Sequence, residues 1–237
     1  MDKNRDKYIP AFSHDFLTPI YDFIMQGTMR EVTFKRHLVE QERIEEGHRV
    51  LDIGCGTATL TILLKRAHPE AEVVGLDGDP KILNIARLKV KKAGLDIALN
   101  RGMAFELPYP DDSFDRVIFS LVFHHLTQEN KVRTLKEAFR VLKPGGELHV
   151  ADLGKPQNAL MYVPSLIIRR LEEASDNAKG LLPEMFRNAG FDHVEETARY
   201  MTIFGTISLY RARKTGHLAF TCHHPMLPLE SKIACSI

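Results

Sequence analysis

From residue 49 onward, short apolar segments alternate with segments of helical periodicity, and this alternation limits the possible folds more than any other feature of the chain. Strands are predicted at 49–53, 72–77, 97–100, 114–120, 147–152, 194–200 and 203–211. Helices are predicted at 57–67, 80–93, 131–142 and 181–189. Alternation of this kind requires crossover connections, which place helices on both faces of a mostly parallel sheet. We therefore expect a doubly wound, Rossmann-like α/β fold of seven strands, in which a hairpin around Met201-Thr202 makes a C-terminal strand antiparallel.

The segments outside this alternation define three additions to the main domain at 47–214. Residues 1–46 are predicted to form an N-terminal helical cap of two helices broken near Gly27-Thr28. An insertion at about 155–179 lies between the fifth strand and the last long helix. It is interpreted as an apolar lid over the substrate, with two alternatives: a helix that makes transient contact with a membrane surface, or a packed helix. Residues 215–237 form a tail that contains Cys and His residues but matches no closed zinc motif.

Charge and cysteine content exclude several classes of protein. The chain has 237 residues, with 32 Lys+Arg against 31 Asp+Glu, and this neutral balance argues against a sequence-independent nucleic-acid binder. Three cysteines do not form a disulfide framework, so we expect a cytoplasmic protein. The charged N-terminus does not resemble a signal peptide, and no apolar run approaches the ~18 residues of a membrane span.

In an open parallel sheet, ligands bind beyond the carboxyl ends of the strands, near the point where the strand order reverses. The first strand ends in a glycine turn, Asp52-Ile53-Gly54-Cys55-Gly56, which lets backbone N–H groups approach a ligand. A dinucleotide fingerprint needs a third glycine, but Thr59 occupies that position. The second strand ends at Asp77, whose carboxylate can accept hydrogen bonds from both hydroxyls of a ribose, whereas Asp79 is placed to cap the next helix.

Four segments in this order resemble the class I S-adenosylmethionine-dependent methyltransferases. They are VLDIGCGTATL (50–60), VVGLDGDP (73–80), LPYPDDSFDRVIFSLVFHHL (107–126) and RVLKPGGELHVAD (140–152). The last two resemble the branch called methyltransferase type 11, near which the ubiquinone- and menaquinone-biosynthesis enzymes belong. The resemblance covers about residues 45–152 by motif and 180–213 by pattern. It implies S-adenosylmethionine as the cofactor and a small, hydrophobic organic molecule as the methyl acceptor.

The resemblance also assigns cofactor-binding residues. The methionine part is expected to be held by Asp52, Gly54, Cys55 and Gly56, with Cys55 acting through its backbone. Asp77 matches the acid that binds the ribose, and Gly78 is expected beside the adenine. Met103 and Ala104 stand where the family commonly has an Asp-Ala pair, so the adenine is expected to meet backbone groups and apolar packing. Ser120 and Leu121 match the stretch along the methionine, near the sulfonium.

Two histidines after the fourth strand, His124 and His125, are candidate general bases, and His124 is the one expected to face the substrate. In the alternative interpretation, one histidine packs and caps the following helix and the other faces solvent. Tyr21, in a Tyr-Asp pair, matches a tyrosine that closes over the cofactor in related enzymes, or else belongs to an apolar stripe of the cap. Asp152 is placed either to touch the substrate or to cap a loop. We predict no metal site.

The sequence thus predicts an in-line methyl transfer from S-adenosylmethionine to a small molecule, by a monomer or homodimer that binds no nucleic acid. Two alternatives remain open at this point. The first is a catalytically silent partner subunit with the same fold, and the second is a dinucleotide-dependent oxidoreductase.

Overall fold

The structure of the protein is a computed structural model that describes residues 31–157, 175–202 and 205–215. Tyr21 and the first predicted helix of the cap lie outside the described residues. The same is true of most of the predicted insertion, at 158–174, and of the tail from residue 216. No helix in the described ranges is long and apolar enough to cross a membrane.

Seven strands alternate with helices along the described chain. The strands are β1 (Arg49–Ile53), β2 (Glu72–Asp77), β3 (Ala98–Arg101), β4 (Phe114–Ser120), β5 (Leu142–Leu153), β6 (Asp192–Thr202) and β7 (Gly205–Arg213). The helices are α1 (Glu31–Gln41), α2 (Thr59–Ala67), α3 (Pro80–Ala93), α4 (Gln128–Val141), α5 (Ser175–Lys179) and α6 (Leu182–Asn188), with a short 3₁₀ turn at Phe123–His125.

The strands form one sheet in the order β3-β2-β1-β4-β5-β7-β6. Strands β1 to β5 pair in parallel, whereas β7 is antiparallel to both β5 and β6. The predicted doubly wound sheet with an antiparallel C-terminal strand is therefore confirmed. The strand order reverses between β1 and β4, so the ligand-binding edge lies at the carboxyl ends of these two strands.

Helices cover both faces of the sheet, which explains why the central strands are almost continuously apolar. On one face α4 and α6 bury a core that includes Leu51, Phe119 and Phe186. On the other face α1 and α2 pack on a second core that includes Phe34 and Val50, and α3 packs against α2 beside it. The parallel strands are thus packed on both faces, with their carboxyl ends at one edge.

Several element boundaries differ from those predicted. Helix α4 begins at Gln128 rather than residue 131, because the Thr127 hydroxyl caps it by accepting a hydrogen bond from the Asn130 N–H at 3.3 Å. Strand β5 begins at Leu142 rather than residue 147, so the Lys-Pro-Gly-Gly run that was predicted to separate helix and strand is part of the strand. The pairing of β6 with β7 continues through Thr202, beyond the predicted turn at Met201-Thr202.

Candidate active site

Backbone hydrogen bonds tie the residues that follow β1, β3 and β4 to the carboxyl ends of the neighbouring strands β2 and β5. The N–H groups of Gly54 and Cys55, after β1, donate to the Leu76 carbonyl in β2 at 2.7 and 3.0 Å. The Gly102 N–H, after β3, donates to the Asp77 carbonyl at 3.1 Å. The Leu121 N–H, after β4, donates to the Ala151 carbonyl in β5 at 2.8 Å. The predicted site residues within the described chain are therefore brought to a single edge of the sheet.

The turn after β1 has a backbone that favours glycine. Gly54 and Gly56 have φ angles of 69° and 55°, in the left-handed region. A Cβ atom on Gly54 would lie 2.5 Å from Cγ2 of Val122 in the loop after β4, so this turn can approach that loop only without a side chain. At Gly56 a Cβ atom would meet nothing within 4 Å, so among the described residues the space in front of this backbone is open.

Asp77 connects the end of β2 to the glycine turn. Its Oδ2 accepts a hydrogen bond from the Gly56 N–H at 2.9 Å, and its Oδ1 accepts one from the Asp79 N–H at 2.9 Å. A carboxylate has about four lone-pair sites, so both oxygens retain capacity for hydroxyl donors. Burial raises the pKa of Asp77, and hydrogen bonds from the backbone N–H groups of Asp79, Gly56 and Gly78 oppose that rise. Asp79 caps α3 by accepting from the Lys81 N–H at 2.8 Å, as predicted.

Asp52 and Cys55 face the protein interior rather than the open side of the turn. The Asp52 carboxylate is 1% exposed and accepts a hydrogen bond from the Thr61 hydroxyl of α2 at 2.7 Å. Burial raises its pKa to about 6. The Cys55 thiol lies beside Gly75 of β2, and burial together with the two nearby aspartates raises its pKa, so the thiol stays protonated.

The residues expected along the adenine and the methionine are partly exposed at this edge. They are Gly78, Met103, Ala104, Ser120 and Leu121. The Met103 carbonyl already accepts a hydrogen bond from the Glu106 N–H at 3.1 Å. Leu121 adopts a left-handed φ of 61°, which carries the chain sharply away from β4.

A buried carboxylate organises the loop after β4. Asp152, at the end of β5, is 0% exposed, and its Oδ2 accepts hydrogen bonds from the N–H groups of Val122 and Phe123 at 2.9 and 2.7 Å. Its Oδ1 lies 2.8 Å from His124 Nδ1. Burial alone would raise the pKa of Asp152, but His124 and the backbone donors lower it. Of the two roles considered for Asp152, the structure shows the loop cap, with the orientation of His124 as an added role.

The contact with Asp152 determines the tautomer of His124. An ionised carboxylate accepts but does not donate hydrogen bonds, so Nδ1 carries a proton. In the neutral imidazole, Nε2 is then the basic nitrogen. His124 and Asp152 therefore have the arrangement of an oriented general base.

His125 has different properties, although its ring lies beside that of His124, with centroids 4.0 Å apart. Burial lowers its pKa to about 3, and His124 adds to this effect. At neutral pH His125 is therefore uncharged and weakly basic.

The sequence interpretation missed Asn177, a 0% exposed residue of α5 whose Nδ2 donates to Asp152 Oδ1 at 2.9 Å. Nothing in the sequence pattern around this short helix distinguishes it from a surface segment. Across residues 31–157, 175–202 and 205–215, no three His, Cys, Asp or Glu side chains form a group suited to a metal ion.

Comparisons with known proteins agree with this geometry. Residues 50–146 match the family model described as a methyltransferase domain. The chain is 32% identical over 219 residues to a demethylmenaquinone methyltransferase of Listeria welshimeri, covering 83% of this chain and 88% of the relative. It is 36% identical over 193 residues to the demethylmenaquinone methyltransferase of Geobacillus kaustophilus, covering 69% and 82%.

The fold is also similar to that of solved structures. One is phosphoethanolamine N-methyltransferase 2 of Haemonchus contortus, in complex with S-adenosylmethionine, with a TM-score of 0.67. The identity is 15%, and the similarity covers 83% of this chain and 56% of that chain.

Proposed function

Because this chain belongs to the class I S-adenosylmethionine-dependent methyltransferases of the ubiquinone and menaquinone branch, we propose that it methylates a ring carbon of a small, hydrophobic quinol. The chain is a methyltransferase, and S-adenosylmethionine is its cofactor. The proposal of a quinol rests on the two relatives at 32% and 36% identity, both named for demethylmenaquinone.

The described residues fit this cofactor. Among the described residues, no atom lies within 4 Å of the place that a Cβ atom of Gly56 would occupy, so a ligand has room to pack against the turn. We assign the ribose to Asp77, because its carboxylate lies at the partly exposed end of β2 and keeps lone-pair capacity beyond the hydrogen bonds from the Gly56 and Asp79 N–H groups. Gly54, Cys55 and Gly56 would hold the methionine part through their backbone, and Asp52 would support the turn from below.

The remaining cofactor assignments follow the positions at the same edge. Gly78, Met103 and Ala104 would flank the adenine, and Ser120 and Leu121 would lie along the methionine. Tyr21, in the part of the chain that the structure does not describe, stays a prediction.

When bound, the cofactor supplies an electrophilic methyl group on a positively charged sulfur. A quinol ring carbon is a good nucleophile only when its neighbouring oxygen releases electron density, which removal of the hydroxyl proton promotes. We assign this proton to Nε2 of His124, while the Asp152 carboxylate stabilises the resulting imidazolium. The ring carbon would take the methyl group as the methyl–sulfur bond breaks. It would then release its hydrogen as a proton to solvent, while the His124 imidazolium returns the first proton to the ring oxygen.

The hydrogen-bonded His124–Asp152 pair at the carboxyl edge is the single observation that carries this mechanism. The proposal is tested by His124→Gln, which keeps a polar side chain but provides no base. We expect kcat to fall about 100-fold, the lower end of the usual range for general bases. The affinity for S-adenosylmethionine is expected to stay within about twofold, because His124 is not assigned to the cofactor.

The matched control is His125→Gln, which changes the neighbouring ring. Since His125 is a weak base, we expect its replacement to change kcat by less than about fivefold. Equal losses of kcat in the two variants would reject His124 as the base.

We also propose that the enzyme acts on its small-molecule acceptor in the cytoplasm, as a monomer or homodimer. The low cysteine content supports a reducing compartment. Light scattering of the full chain, with and without cofactor, measures the oligomeric state, and a mass above that of a dimer would contradict the proposal.

A further inference from the structure

The side-chain amide of Asn177 is buried and only half satisfied. Its Nδ2 donates to Asp152 Oδ1 at 2.9 Å, and the residue is 0% exposed. Its Oδ1 has no hydrogen-bond partner within the described ranges. An unsatisfied buried oxygen is unfavourable by about 1–3 kcal/mol. Beside a functional group, such an oxygen is typical of a site where a bound ligand donates the missing hydrogen bond.

Chemistry determines the orientation of this amide. The Asp152 carboxylate accepts hydrogen bonds, so the nitrogen of Asn177, not its oxygen, must face Asp152. The same Asp152 oxygen contacts His124 Nδ1, so the amide of Asn177 and the imidazole of His124 are neighbours around one atom. The Asn177 Oδ1 is therefore held next to the proposed base, and it can only accept a hydrogen bond.

A second unsatisfied oxygen lies at the same end of the sheet. The Thr206 side chain is 2% exposed, and its hydroxyl has no partner in the described part of the chain. Its backbone carbonyl accepts from the Gly154 N–H at 2.9 Å, two residues beyond Asp152. Two unsatisfied oxygens thus lie near the end of β5, Asn177 Oδ1 through the contact of its amide with Asp152 and Thr206 Oγ1 through the pairing of its backbone with Gly154.

We propose that Asn177 Oδ1 accepts a hydrogen bond from a second hydroxyl of the methyl acceptor, and that Asn177 thereby selects a dihydroxy, reduced ring. This inference rests on the proposed function, because it places the ring beside His124. A quinol hydroxyl donates to the amide oxygen. A quinone carbonyl in the same place would oppose its lone pairs to those of the amide, and an unsubstituted ring position would leave the amide oxygen unsatisfied.

The rest of α5 is anchored independently of Asn177. The neighbouring Asp176 lies 3.5 Å from Nζ of Lys131 on α4, a fully buried lysine. Asp152 also keeps its backbone donors from Val122 and Phe123 when the amide is removed. We therefore expect Asn177→Ala to fold. Asn177→Leu, which keeps the branched shape of the side chain with methyl groups in place of the amide atoms, provides a second variant without a hydrogen-bonding group.

The experiment measures binding of two probes to the full chain saturated with S-adenosylhomocysteine, without oxygen. The probes are naphthohydroquinone, with two hydroxyls, and naphthol, with one. We expect the wild type to bind naphthohydroquinone about tenfold more tightly, as one buried hydrogen bond provides. In Asn177→Ala and Asn177→Leu the two probes are expected to bind equally, with unchanged affinity for S-adenosylhomocysteine.

The matched control is Asn130→Ala, which removes another buried amide whose Oδ1 is already occupied by Arg133 at 3.4 Å. This variant is expected to keep the tenfold preference. Equal binding of the two probes by the wild type, or a preference that survives in both Asn177 variants, would overturn the assignment of Asn177.

Methyl transfer to naphthohydroquinone is measured separately. Absence of transfer with an intact, Asn177-dependent preference would reject the proposed function and leave the binding role of Asn177 standing. Methyl transfer without a binding preference for naphthohydroquinone would reject the role of Asn177 and leave the proposed function standing.

Discussion

Replacement of Asp77 by alanine is expected to remove most of the affinity for S-adenosylmethionine. The carboxylate oxygens each accept one backbone N–H at 2.9 Å, and the remaining lone pairs are assigned to the two ribose hydroxyls. A hydrogen bond to a charged group contributes about 1.5–3 kcal/mol, so two contribute about 3–6 kcal/mol. Water can partly replace them at this partly exposed edge, so we expect a loss near the lower limit, about 3 kcal/mol.

A loss of about 3 kcal/mol corresponds to a roughly 100-fold rise in Kd. Titration calorimetry with S-adenosylmethionine and S-adenosylhomocysteine measures it directly, and both ligands should be affected alike because both carry the ribose. The variant also loses the Gly56 contact, so thermal unfolding is measured in parallel to separate binding from stability.

Asp79→Ala is the matched control, since it removes a carboxylate two residues away. Asp79 caps α3 through the Lys81 N–H at 2.8 Å, so the control should lower the free energy of unfolding by about 1 kcal/mol. Its cofactor affinity should stay within about threefold of the wild type. An Asp77→Ala protein that binds as tightly as this control would refute the ribose assignment.

Three further substitutions test the supports of the site. Asp152 accepts hydrogen bonds from five donors, which are three backbone N–H groups, His124 and Asn177. Asp152→Asn places an amide N–H among these donors, so the free energy of unfolding, measured with urea, should fall by about 3–5 kcal/mol. Burial raises the pKa of Asp52 to about 6. The contribution of this carboxyl group to the free energy of unfolding is therefore complete below about pH 4 and is lost as the pH rises through 6. An asparagine at this position does not ionise, so in Asp52→Asn the free energy of unfolding should fall by about 3 kcal/mol less than in the wild type between pH 4 and 8, in the same assay. An unchanged pH profile would contradict the raised pKa. Ala58 has a left-handed φ of 61° at the start of α2, so Ala58→Gly should raise Tm by about 3 °C. A lower Tm would contradict this prediction and show that the packing of the buried Ala58 methyl group outweighs the backbone strain.

The sequence was sufficient to predict the sheet because strands β1 to β5 form local apolar runs that end in turn residues. It also placed Gly54 and Asp77 at the carboxyl edge of the sheet, because this position depends only on where a strand ends. The start of β5 at Leu142 was not predictable from apolar periodicity, because it depends on backbone hydrogen bonds to a distant part of the chain. The Gly145 N–H donates to the Lys214 carbonyl at 2.7 Å, and the Gly146 carbonyl accepts from the Lys214 N–H at 2.9 Å.

Tertiary contacts explain what the sequence did not reveal about the site. Asn177 lies 25 residues from Asp152, on the far side of a segment without clear periodicity, so only the folded chain brings its amide to the carboxylate. Similarly, Asp52 has the position of a ligand-binding residue, but its carboxylate points beneath the turn to Thr61. A position along the chain predicts the edge at which a residue lies, whereas its neighbours determine the direction of its side chain.

The most direct test is transfer of a trideuteromethyl group from labelled S-adenosylmethionine to naphthohydroquinone, followed by mass spectrometry of the product. The proposed mechanism predicts one label on a ring carbon with the reduced ring, no product with the oxidised ring, and a loss of about 100-fold in His124→Gln. Label on a hydroxyl oxygen, or equal transfer to the oxidised ring, would contradict it.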